Sequence, residues 1–229
     1  MTVWSVPQGR RNHPPESLLV RLPEILERRG AVLTGRHLVY TSGLHGTAYI
    51  DMRRVASDAR LMGEIGATLG DLGKSYQPDL VVGPLTLGMP LAYFAAQHLG
   101  IPVVWIENGQ LPPKMTSFAD LIPGSRIMIV DDLLTSGYSL REVAELLGSI
   151  GGQVVVAAVA VRRSPNVTAA DCGAPALEVI TDVSGFETFD PEQCKIIGPC
   201  SRLVPMTLRP GHGREWLARP GNGLYPVAE

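Results

Sequence analysis

The sequence predicts an α/β fold, a parallel sheet with helices on both faces, and two observations predict it. The apolar runs Leu80-Val81-Val82, Val103-Val104-Trp105-Ile106, Ile127-Met128-Ile129-Val130 and Val154–Val161 are continuous, as strands covered on both faces are. Stretches of helical periodicity separate them, so strand–helix–strand order recurs, and such units close with right-handed crossovers.

Composition sets the bounds. With 229 residues, 45% of them hydrophobic, the chain buries a sizeable core, which excludes wholesale disorder. Lys and Arg number 20 against 22 Asp and Glu, for a net charge of −2. The pairs Arg10-Arg11, Arg28-Arg29, Arg53-Arg54 and Arg162-Arg163 are scattered, so no basic face for nucleic acid is expected. No apolar run reaches the ~18 residues of a membrane span. Arg10, Arg11 and Pro14-Pro15 stand where a secretory signal would be apolar. Three cysteines make no disulfide framework, and the expectation is a cytoplasmic protein without membrane or nucleic-acid partners.

Taken in order, residues 1–15 read as a loose polar arm. Leu18, Leu22, Ile25 and Leu26 mark a helix from Glu16 to Arg29, with a kink or restart at Pro23. His37–Tyr40 and Thr47–Met52 read as short strands around the turn Thr41-Ser42-Gly43-Leu44-His45-Gly46. Helices over Asp58–Leu72, Met89–Leu99 and Ser139–Ile150 alternate with the apolar strands, and Glu107–Gly124 is a long loop. Leu177–Ile180 reads as one more strand before a Pro- and Gly-rich tail. The expected domains are the arm 1–15, a core over 16–165 and an extension over 166–229.

The chemistry concentrates in Ile127-Met128-Ile129-Val130-Asp131-Asp132-Leu133-Leu134-Thr135-Ser136-Gly137-Tyr138-Ser139. A buried strand delivers two carboxylates to its carboxyl end, where α/β sheets bind ligands. The helix that follows offers amides and a dipole to an anion, Gly137 lets the backbone approach it, and Thr135 and Ser139 add hydroxyls. Asp131 and Asp132 suit the cis-diol of a ribose, directly or through Mg²⁺. One loop then grips a sugar by its hydroxyls and its 5′-phosphate. A nucleotide hydrolase is the competitor, since Gly83-Pro84-Leu85-Thr86-Leu87-Gly88 has its glycine spacing, but Met89-Pro90 replaces the required Lys and Ser/Thr.

This string resembles the phosphoribosyl-diphosphate (PRPP) signature of type I phosphoribosyltransferases. Tyr40–Arg53 resembles the amino-terminal element of the orotate phosphoribosyltransferases, a hood over the base, here 36–54. Val81–Gly88 resembles the family's diphosphate loop, and the similarity covers residues 17–165. Pro191–Cys194 to Pro210–Gly211 is faintly similar to the cysteine-bearing tail of some bacterial members.

The resemblance implies transfer of the phosphoribosyl group from PRPP to orotate, in pyrimidine biosynthesis, by a homodimer with Mg²⁺ carried by PRPP. It implies PRPP contacts at Asp131, Asp132, Leu134, Thr135, Ser136, Gly137, Tyr138 and Ser139, and at Gly83, Pro84, Leu85, Thr86, Leu87 and Gly88. The base falls to Thr41, Tyr49, Ile50 and Arg163 (Arg162 is the second choice), an arginine fork matching a carboxylate. Lys114 joins Asp131 and Asp132 as a catalytic residue, as the cation of a closing Glu107–Gly124 loop. His45 stands near the base in this picture, although a turn histidine is ordinarily solvated.

The chain departs from the family in Glu107-Asn108-Gly109-Gln110, where a basic residue is usual, in Leu87-Gly88 where two glycines are common, and in a tail without a second close cysteine. Two other readings stay open: a PRPP-dependent transferase with a different base or small hydroxylated acceptor, and a non-catalytic PRPP-binding regulator. The second lacks room for a winged helix before the first helix. Cys172, Cys194, Cys200 and His212 are the candidates for a metal site, but no Cys-x-x-Cys pair exists and none is expected.

Overall fold

Strands buried on both faces organise the computed structural model, which describes residues 3–5, 17–40, 43–107, 114–115, 119–223 and 225–228. The chain opens with β1 (Val3–Ser5), α1 (Leu18–Arg28), β2 (Val32–Leu33), β3 (Leu38–Val39), β4 (His45–Gly46) and β5 (Tyr49–Ile50). It continues through α2 (Arg53–Ala56), α3 (Ala59–Gly73), β6 (Leu80–Pro84), α4 (Gly88–Leu99), β7 (Val103–Glu107) and β8 (Lys114–Met115). β9 (Arg126–Leu134), α5 (Tyr138–Ser149), β10 (Gln153–Arg162) and β11 (Leu177–Ser184) follow, then β12 (Thr188–Phe189), α6 (Pro191–Ile196) and α7 (Gly213–Leu217). Two compact units result: a larger one of Val3–Ile25 and Val55–Ser184, and a smaller one of Leu26–Arg54 and Gly185–Glu229.

The larger unit holds a seven-stranded sheet in the order β1-β11-β10-β9-β6-β7-β8. Its five inner strands are parallel, as expected. Both edges are antiparallel, which the sequence did not suggest: β1, from the supposed arm, pairs with β11, and β8 pairs with β7. Side-chain alternation along β9 serves two layers. Ile127 and Ile129 pack with Leu140, Val143 and Leu147 of α5, whereas Met128 lies against Gly73 of α3. Continuous burial holds for β6, but β7 alternates buried and half-buried residues because it lies toward an edge.

Asp58 caps α3, its carboxylate accepting from the Leu61 amide at 3.1 Å. The helix does not restart at Pro23, since α1 is continuous through it. Buried Leu18, Leu19, Leu22, Ile25 and Leu26 on both sides of it, about 1.5–3 kcal/mol each, outweigh the ~3 kcal/mol cost of an interior proline.

The smaller unit contains the sheets β12-β4-β3 and β2-β5. Leu38 pairs with Gly46 and Val39 with His45, so the returning hairpin strand begins at His45 rather than Thr47. Tyr49 and Ile50 pair instead with Leu33 and Val32. The tail also divides differently from the expected boundary at 165. Leu177–Ser184 completes the parallel sheet, and Phe189 then pairs with His45, making β12 part of the smaller unit. No helix among the described residues is long and apolar enough to cross a membrane.

Candidate active site

β9 runs further than its apolar stretch, through Asp131 and Asp132 to Leu134, and so carries both acids to the carboxyl edge of the sheet. Each is half-buried, and the Asp132 amide donates to Asp131 Oδ1 at 2.9 Å. Desolvation first, then the charge of Asp132, push the Asp131 carboxyl well above the usual range. Desolvation also raises Asp132, against a hydrogen bond from Asp131 that lowers it. Two carboxyl groups crowded at a strand end need a partner that relieves them: a donor such as a diol hydroxyl, or a cation.

Thr135 and Ser136 are exposed, and Gly137 enters α5 at φ 81° with no side chain capping the helix and no acid in its first turn. A missing cap costs about 1 kcal/mol. Burial of Leu140, Val143 and Leu147, at about 1.5–3 kcal/mol each, keeps the helix in place regardless. The amides of Tyr138, which reaches Ser136 Oγ only at 3.5 Å, and of Ser139 thus head a helix whose dipole favours an anion. A Cβ at Gly137 would stand 2.6 Å from the Asp171 carbonyl oxygen, in a left-handed conformation that side chains resist. Asp171 is itself held by Thr168, whose amide and hydroxyl both donate to its carboxylate at 2.8 Å.

The neighbouring parallel strand β6 ends at Gly83-Pro84 on the same edge, and Leu85-Thr86-Leu87 lead into α4. The Leu85–Thr86 peptide is cis. A Cβ on Gly88 would come within 2.9 Å of the Val130 carbonyl oxygen, so α4 begins against the backbone of β9. Thr86 is exposed at the loop tip and no side chain caps α4. Two uncapped helix starts therefore flank a carboxylate pair on one sheet edge.

Residues 58–186 match the model of the phosphoribosyl transferase domain. The chain belongs to that family. Among phosphoribosyltransferases, orotate phosphoribosyltransferase 2 of Mesorhizobium japonicum is 35% identical over 147 residues, 63% of this chain and 76% of that protein. The orotate phosphoribosyltransferase of Thermotoga maritima is 30% identical over 184 residues, 80% of this chain and 94% of the relative. Among solved structures, the orotate phosphoribosyltransferase of Aeropyrum pernix superposes with a TM-score of 0.58 at 28% identity, covering 69% of this chain and 92% of that one.

The remaining residues expected at the site of this phosphoribosyltransferase divide clearly. Arg162 is committed to structure: its guanidinium donates to both oxygens of Asp182, at 2.6 and 3.0 Å, and to the Val167 carbonyl at 2.9 Å. Arg163 is half-buried, and its amide donates to the Leu134 carbonyl at 2.8 Å, placing it at the end of the acid-bearing strand. In the smaller unit, Tyr49 is half-buried and Ile50 is 2% exposed, so the Ile50 side chain belongs to the core. Thr41 lies outside the described residues, as does the side chain of Lys114, whose backbone pairs opposite Glu107.

His45 departs from the expectation of a solvated turn residue. It is wholly buried, stacked edge-on with Trp216, because pairing with both Val39 and Phe189 makes β4 the central strand of its sheet. The metal candidates also regroup. Cys172 sits in the core of the larger unit and His212 is partly exposed beside Glu215. Cys194 and Cys200 converge instead on His37 and His45. Residue spacing could not reveal this set, because His37-x₇-His45 and Cys194-x₅-Cys200 match no common ligand pattern.

Proposed function

We propose that this chain transfers the 5-phosphoribosyl group of PRPP to orotate, giving orotidine 5′-phosphate and diphosphate. The observation that carries the reading is the Asp131–Asp132 pair leading into the uncapped start of α5, in a member of the phosphoribosyltransferase family. The orotate phosphoribosyltransferases at 30–35% identity support orotate as the acceptor.

In this reading Asp131 and Asp132 accept hydrogen bonds from the ribose diol. The amides of Leu134–Ser139 with the Thr135 and Ser139 hydroxyls hold the 5′-phosphate, and Gly83–Gly88 faces the diphosphate. The C1–O bond to diphosphate breaks as a ring nitrogen of orotate, its proton passing to solvent, bonds to C1 from the opposite face. Positive charge develops on the ribose in the transition state, so nearby carboxylates stabilise it. The acids are hard oxygen donors whose mutual repulsion a cation relieves, so the residues fit Mg²⁺ brought in with PRPP. When bound, Mg²⁺ supplies positive charge to the departing diphosphate.

Arg163 takes the orotate carboxylate by a bidentate contact. Thr41 and Tyr49, with the Ile50 backbone rather than its buried side chain, keep the base-contacting role that the resemblance implies, and Lys114 that of the loop cation. A cytoplasmic homodimer completes the reading, with sedimentation velocity as its check.

The test is loss of orotate absorbance on incubation with PRPP and Mg²⁺. Turnover that falls by orders of magnitude in Asp131→Asn and Asp132→Asn, with folding intact, supports the site. Turnover with another acceptor but none with orotate moves the chain to the alternative acceptor class.

A further inference from the structure

Four metal-ligating side chains that the reaction does not use meet inside the smaller unit. His37 and His45 are fully buried, as is Cys194, and Cys200 is 8% exposed. One donor atom from each lies within 4.8 Å of all the others. Cys200 Sγ stands 3.5 Å from His37 Nε2 and 3.4 Å from His45 Nδ1, and Cys194 Sγ stands 3.8 Å from His37 Nε2. Zinc bonds of about 2.3 Å to sulfur and 2.0–2.1 Å to nitrogen, at tetrahedral angles, put such S···N edges at about 3.6 Å. The two nitrogens are 2.9 Å apart and need to open by about half an ångström to complete the tetrahedron.

The surroundings orient the donors. His37 Nδ1 is 2.9 Å from the Val204 carbonyl, and donation to that oxygen leaves the Nε2 lone pair pointing at the cluster. The Cys200 amide donates to Cys194 Sγ at 3.3 Å, a contact that favours a thiolate. A Cβ on Gly198 would crowd that same sulfur at 2.9 Å, so glycine leaves room for it. The rings of Tyr225 and Trp216 close over His37 and His45 edge-on, excluding water. All four donors fall outside residues 58–186, the part matched by the family model.

We propose that His37 Nε2, His45 Nδ1, Cys194 Sγ and Cys200 Sγ bind one zinc ion in a closed tetrahedral site, which ties the carboxy-terminal segment to the β3–β4 hairpin. Two thiolates and two imidazoles at these spacings select zinc over the hard cations. Four protein ligands leave no open position, so the role is structural. Zinc displaces one proton from each thiol to solvent as its two Zn–S bonds form.

The experiment uses the full chain, purified under reducing conditions and dialysed. Elemental analysis should find about one zinc per chain. Cobalt exchanged for it should show thiolate-to-metal charge transfer and the intense visible bands of tetrahedral coordination, a signature that carboxylates cannot produce. Cys194→Ser and Cys200→Ser should each lose a large part of the charge-transfer intensity, one thiolate remaining, and Cys172→Ser should keep all of it. The proposal is overturned if the wild-type chain gives no thiolate–cobalt band, a readout that stands even where a serine variant fails to fold. Full retention of the band in a folded Cys194→Ser or Cys200→Ser chain overturns it as well, as does a Cys194–Cys200 disulfide in the protein as isolated.

Discussion

Asp131 shows how a site residue opposes stability. Folding raises its pKa, so the folded chain binds more protons than the unfolded one in a window opening near the ordinary carboxylate value of about 3.9. Stability therefore falls as pH rises through that window and stays lower above it. Asp131→Asn should melt higher than the wild type at neutral pH and equally at about pH 3, where both forms are protonated, while turnover drops by about 10²–10³-fold. Calorimetry at the two pH values beside an orotate assay checks both halves, and a variant less stable at neutral pH would remove the argument. Gly137→Ala meets a backbone oxygen and a left-handed φ together, so about 2 kcal/mol of stability should go, with weaker PRPP binding. Denaturant unfolding and titration calorimetry measure the two losses. The acids, Gly137 and the hydroxyls around it are readable from sequence because they are contiguous, and the role proposed for them needs only that a strand hand over to a helix.

Elements decide what adjacent, identical residues do. Arg162 and Arg163 are indistinguishable in sequence, yet the last residue of β10 reaches Asp182 of β11, and the next one follows it with its amide on the Leu134 carbonyl of β9. Arg162→Ala leaves an almost fully buried Asp182 without its partner and should cost about 3–5 kcal/mol. Arg163→Ala should cost less stability and appear as a higher KM for orotate. Thermal melts paired with steady-state kinetics separate the two, and a Arg163→Ala enzyme with unchanged KM would remove that residue from the base site. Strand and helix positions follow from periodicity, but pairing does not. β9 extends four residues beyond its apolar run because Val159, Val161 and Arg162 of β10 continue the ladder opposite Asp131, Leu133 and Leu134. β1 is too short to signal itself and exists through its pairing with β11.

Across the whole molecule, the smaller unit is assembled from two segments far apart in the chain, and Val39, Met206 and Trp216 form one of its buried clusters. A unit this short, built from distant segments, gains most from a cross-link. Stripping metal with a strong chelator should lower the first thermal transition of the full chain, and added zinc should restore it, as followed by calorimetry. A melt indifferent to both would show that apolar packing alone holds the unit. The parallel sheet and the strand-to-helix turn at 131–139 could be read from residue order, because burial on two faces and the handover from strand to helix are local consequences of local sequence. The division of the tail between the two units, the burial of His45 and the meeting of His37, His45, Cys194 and Cys200 could not. Each depends on which distant segments pair, and strand pairing over 140 or more residues is set by the free energy of the folded whole, roughly independent of any short window of sequence.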